Sequence, residues 1–143
     1  MTDLRQPYSE LSPEAYNGLV QTSQALERSA TDKPLLELVY LRVSQINGCA
    51  FCLEMHSKAL RKTGTPQSKL DALAGWHISS HFSAKEKAAL AWAESLTHIA
   101  TTHAGDDVYQ PMLEHFSAQE ISDLTFAVSL MNAFNRLAIA MRM

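Results

Sequence analysis

Apolar positions recur at helical spacing along most of the chain, and no stretch shows the sustained apolar/polar alternation of a half-buried strand. Punctuation residues divide the pattern into helices. Ser12-Pro13 sets a cap residue before a proline at the first helical position and opens a helix to about Ser29. "TDKP" opens a second, about Pro34 to Ile46, and Asn47-Gly48 closes it with residues that accept a left-handed backbone. A third begins at Cys49 and stops at Gly64, and a shorter fourth spans about 66–75. "SAKE" (83–86) and "SAQE" (117–120) both fit the capping box and open long helices, roughly 84–103 and 118–141. A further helix, about 106–116, contains Pro111. The fold class is all-α, a single domain over 1–143 with six to eight helices and residues 1–12 as an N-terminal extension.

Composition agrees. The chain holds 19 Ala and 18 Leu against 10 Val plus Ile, and only five Gly and five Pro. At 143 residues it is long enough to bury a core without disulfide or metal staples. The net charge of −3 comes without any Lys/Arg cluster, which argues against nucleic acid as a partner. "LTFAVSLMNAFNRLAIAMRM" is the most apolar stretch, but Asn132, Asn135 and Arg136 interrupt it, so it reads as a buried or interface helix and not a membrane span. Met131, Met141 and Met143 read as core or interface filler. The polar start lacks the apolar run of a signal peptide, and a cytoplasmic location is expected.

The chemistry concentrates in "INGCAFCLEMHSKALRKTG" (46–64), which holds both cysteines. At 100° per residue, Cys52 and His56 lie about 60° and 20° to one side of Cys49, so all three share one stripe of the helix. Both sulfurs fall in its first turn, where free backbone N–H groups and the helix dipole favour a thiolate. His56 is placed to exchange a proton with Cys52. A redox dithiol is one reading. Two small core residues are a second, and three ligands of a metal site with a carboxylate as fourth are a third. On the second helix Lys33, Glu37, Tyr40, Ser44 and Asn47 form a polar stripe. It is either a solvated face with a weak Lys33–Glu37 pair or the support of a carboxylate that orients His56. His77 and His81 are four apart but lie near a helix end, where surface or packing roles are expected; His98, His103 and His115 form no constellation.

"ELVYLRVSQINGCAFCLEMHSKALRKTG" (37–64), "FSAKEKAALAWAESLT" (82–97) and "MNAFNRLAIAMR" (131–142) resemble the alkylhydroperoxidase D-like (AhpD-like) proteins of the carboxymuconolactone decarboxylase superfamily. The resemblance covers about 110 residues and implies an AhpD-like helical bundle. It implies that Glu37, twelve residues before Cys49, and His56 form a proton relay, with Cys52 the peroxidatic thiol and Cys49 the resolving one. Some members carry a second histidine between the cysteines, where this chain has Phe51, so the relay is simpler here. The implied activity is a thiol-dependent peroxidase needing no cofactor, with a peroxide substrate and an external thiol or dithiol reductant. Protein disulfide reductase, a non-enzymatic redox sensor and a metal-binding module stand as alternatives. The superfamily's decarboxylating branch does not use a cysteine pair. The resemblance further implies a homo-oligomer, hexamer or trimer.

Overall fold

Short polar side chains at the helix starts replace the backbone partners that a first turn lacks. Asp32 Oδ2 accepts from Leu35 N at 3.2 Å and opens α3 (Lys33–Asn47). Ser83 and Ser117 form complete capping boxes with Glu86 and Glu120, opening α6 (Ala84–Thr97) and α9 (Ala118–Met141). The computed structural model describes residues 3–143, and among these it contains helices and no strand. The remaining elements are α1 (Tyr8–Leu11), α2 (Pro13–Glu27), α4 (Ala50–Lys62), α5 (Gln67–Asp71), a 3₁₀ turn at Leu73–Gly75, α7 (Ile99–Thr102) and α8 (Asp106–His115).

The expected six to eight helices become nine among the described residues. One addition is the single turn α1, which lies inside what the sequence left as an extension. The other arises because the helix expected over 84–103 breaks at His98. At that break a side-chain hydroxyl takes a carbonyl that a continuous helix would use: Thr102 Oγ1 donates to the Ser95 carbonyl at 2.6 Å. The fourth helix divides at Ala72 into α5 and the 3₁₀ turn. Ser12 occupies the N-cap of α2, but its side chain makes no capping bond; its N–H instead closes α1 on the Tyr8 carbonyl. Pro111 interrupts α8 without ending it, and the fully buried Met112 beside it anchors the helix to the core.

Helix α3 is the centre of the molecule. One side of it joins α6, α8 and α9 through Leu36, Val39, Val43, Trp92, Met112 and Leu124. The other joins α4, the 3₁₀ turn and α6 through Leu38, Leu41, Leu60, Leu73 and Leu90. Helix α9 packs against α2, α3, α6 and α8, burying Ile121, Leu124, Val128, Leu130 and Met131, while Phe126 stays exposed. The two asparagines that interrupt it tie it to α3. Asn47 Nδ2 donates to Asn132 Oδ1 and Asn135 Oδ1, and Asn135 Nδ2 donates to Ser44 Oγ at 3.1 Å. The end of α3, from which the cysteine motif departs, is therefore held by a closed polar network in the interior.

Candidate active site

Only two residues, Gly48 and Cys49, separate α3 from α4. Gly48 ends α3 with φ +74°, a left-handed conformation that a side chain would oppose. The chain then reverses, so that α4 lies against α3. Cys49 is the N-cap of α4, and its sulfur accepts from the Cys52 backbone N–H at 3.4 Å. Cys49 and Cys52 are joined in a disulfide, with Cα atoms 5.3 Å apart. The two cysteines have different surroundings. Cys52 borders a cavity of about 590 Å³, whereas Cys49 does not line it; both pack in a small cluster with Ala138 of α9. Both are nearly inaccessible, at 3% and 2% of their full surface.

Across the helix pair, His56 Nδ1 lies 2.7 Å from Glu37 Oε2. A carboxylate only accepts, so Nδ1 carries the proton and donates it. In the neutral ring Nε2 is then the basic nitrogen. It is buried and has no hydrogen-bond partner among the described residues. His56 and Cys52, one turn apart on α4, both line the cavity with Glu37. The polar stripe on α3 is thus not a solvated face. Glu37 pairs with His56, while Tyr40 and Ser44 are buried.

Tyr40 completes this end of the cavity. Its ring tilts against the His56 ring with centroids 5.2 Å apart, and its hydroxyl is buried without a partner among the described residues. Burial first, then the carboxylates of Glu37 and Glu27, pushes this phenol well above the ordinary tyrosine range, so it stays protonated. The sequence placed Tyr40 on the stripe but gave no sign that its hydroxyl would be enclosed. The opposite wall comes from segments outside the motif. Tyr8 of α1 stacks edge-on to Tyr16 of α2, and Tyr16 does the same with Phe134 of α9. Met143 lines the same cavity, its sulfur accepting from the Tyr8 hydroxyl at 3.1 Å. Nothing in the spacing of Tyr8 or Tyr16 pointed to this role.

His77 lies elsewhere, stacked on Trp76 at 3.6 Å and 3.5 Å from Glu94. Glu94 also receives Trp76 Nε1 and Arg42 Nε, each at 2.8 Å. Among the described residues no group of three or more His, Cys, Asp or Glu is arranged to hold a metal ion.

Fold and site together define a helical protein that presents a Cys-x-x-Cys disulfide at the start of one helix and a Glu–His pair bridging that helix to the preceding one. Residues 13–95 match the carboxymuconolactone decarboxylase family. Uncharacterized protein YdfG of Bacillus subtilis (strain 168) is 34% identical over 137 residues, covering 96% of this chain and 93% of that protein. A crystal structure of a protein of unknown function from Agrobacterium tumefaciens, named as a candidate antioxidant-defence protein AhpD, superposes with a TM-score of 0.94. It is 34% identical, and the match covers 98% of this chain and 96% of that one. An uncharacterized peroxidase-related protein from Silicibacter sp. TM1040 shares the fold, with a TM-score of 0.81 at 24% identity over 92% of this chain and 70% of that one. The chain belongs to the carboxymuconolactone decarboxylase family, as an AhpD-like member.

Proposed function

We propose that the protein is a thiol-dependent peroxidase that reduces hydroperoxides through Cys52 and Cys49. The observation that carries this reading is the buried His56, tied to Glu37 through Nδ1 and left with Nε2 unpaired, lining the same cavity as Cys52 one turn away on α4. An imidazole held in that way is a general base for the neighbouring thiol.

In the reduced protein, His56 Nε2 takes the Cys52 proton, and Glu37 stabilises the imidazolium. The thiolate gives an electron pair to the terminal oxygen of the hydroperoxide and the O–O bond breaks. The leaving alkoxide takes the proton from His56 and departs as an alcohol, leaving a sulfenic acid on Cys52. The Cys49 thiol attacks that sulfur, water leaves, and the disulfide forms. An external thiol or dithiol restores the pair through a mixed disulfide. Cys49 gains a different kind of help, since its sulfur already accepts a backbone N–H at a helix start.

The cavity supports a small, neutral organic hydroperoxide as substrate. Its walls are aromatic and thioether groups, its charged lining residues are Glu27 and Glu37, and no Lys or Arg is among the described residues that line it. A cytoplasmic location, where thiol reductants abound, and a homo-oligomeric assembly belong to the same reading.

The test is mass spectrometry of fully reduced protein, quenched by alkylation after brief exposure to an organic hydroperoxide or hydrogen peroxide. Rapid Cys49–Cys52 disulfide formation, slowed in His56→Ala, is the expected result. Oxidation no faster than that of an ordinary thiol would overturn the proposal.

A further inference from the structure

Four buried side-chain polar atoms have no hydrogen-bond partner among the described residues, and two of them belong to residues that border one cavity. One is His56 Nε2, which the reaction above uses. The other is the hydroxyl of Tyr40, which it does not. A buried hydroxyl without a partner is costly to keep, and such groups persist where something outside the resting fold uses them. Tyr40 is 95% buried, so its hydroxyl cannot turn to bulk water for compensation.

The position is fixed from two sides. Tyr40 follows Glu37 by one turn on α3, so both face α4. Its ring rests on the imidazole of His56, which holds the ring plane. The burial and the two carboxylates that keep the phenol protonated leave it as a hydrogen-bond donor.

We propose that Tyr40 is a further catalytic residue, whose O–H donates to the leaving oxygen of the hydroperoxide as Cys52 attacks. This rests on the peroxidase reading and adds a specific part to it. As the O–O bond breaks, negative charge collects on the oxygen attached to the organic group, where a fixed donor in a water-poor cavity has its largest effect. Tyr40 gives a hydrogen bond and keeps its proton. The proton that completes the alcohol still comes from His56, so atoms and charge balance as before. Two donors then flank the leaving oxygen: the imidazolium, which transfers its proton, and the phenol, which holds the oxygen in line with the sulfur.

The test compares wild type with Tyr40→Phe, which retains the ring against His56 and removes only the hydroxyl. Two single-turnover rates are measured on reduced protein: Cys52 oxidation by cumene hydroperoxide and Cys52 alkylation by iodoacetamide. Iodide leaves without needing a donor of this kind, so alkylation reports the supply of thiolate. The expected result is a loss on the order of 100-fold in oxidation with alkylation unchanged. Equal losses in both rates would overturn the proposal by assigning Tyr40 to thiolate formation or packing. Unchanged oxidation would overturn it outright. A wild type that oxidises no faster than an ordinary thiol would instead bring down the peroxidase reading, and this inference with it.

Discussion

Glu37→Gln isolates the charge in the Glu37–His56 pair. Glutamine keeps a carbonyl oxygen where Oε2 stands, so His56 Nδ1 can still donate at about the same place and the ring stays oriented. What is lost is attraction to the imidazolium that forms when His56 takes the Cys52 proton. With Nδ1 and Oε2 2.7 Å apart, the charge centres of ring and carboxylate lie about 4 Å from each other. Unit charges at that distance interact by about 1 kcal/mol in water and about 4 kcal/mol at an effective dielectric constant of 20. His56 is buried and the Glu37 side chain is a quarter exposed, which puts the pair between those limits, at about 1–3 kcal/mol. The expected cost is therefore about 5- to 150-fold in the rate of Cys52 oxidation. Iodoacetamide alkylation should slow alongside it, because this variant acts on thiolate supply, unlike Tyr40→Phe. Rapid-quench mass spectrometry of the reduced variant measures both. An oxidation rate equal to wild type would refute the claim that Glu37 works through His56.

Two further substitutions probe the scaffold around the motif. Asn135→Ala leaves Asn47 and Ser44 short of partners in the interior and should lower stability by about 2–4 kcal/mol, read as the urea midpoint; an unchanged midpoint would mean that the network contributes nothing net. Gly48→Ala meets no atom within 4 Å, so its cost is purely that of placing a side chain at φ +74°, about 1 kcal/mol. Equal stability of that variant in the same titration would show that the turn relaxes at no cost.

Much of the helical order was legible because its signals are local. Ser83/Glu86 and Ser117/Glu120 satisfy each other within four residues, and Gly48 marks a stop by its own backbone freedom. The stripe of Cys49, Cys52 and His56 was legible for the same reason, since one helix fixes their relation. The break at His98 was not, because it depends on Thr102 reaching back to Ser95 across a turn that contains neither glycine nor proline. The pairing of Glu37 with His56 needed the resemblance, as separate helices supply the two groups. Tyr40 illustrates the remaining gap. Whether a hydroxyl on a polar stripe meets water or a closed interior is decided by helices remote in sequence, here α2 and α9, and no pattern within α3 encodes it.

The spacing of the two cysteines has a consequence for signalling. Their Cα atoms, 5.3 Å apart, sit at a distance that suits both a disulfide and two free residues three apart at the start of a helix. Closing and opening the bond therefore asks for side-chain rotation, with the backbone left in place. The capping contact, the α3–α4 turn and the asparagine network can persist through either state. Such a molecule offers a binding partner almost no difference in outline to read between its two oxidation states. On the proposed peroxidase reading, that constancy suits a pair that hands electrons on, cycle after cycle, without rebuilding its surroundings each time.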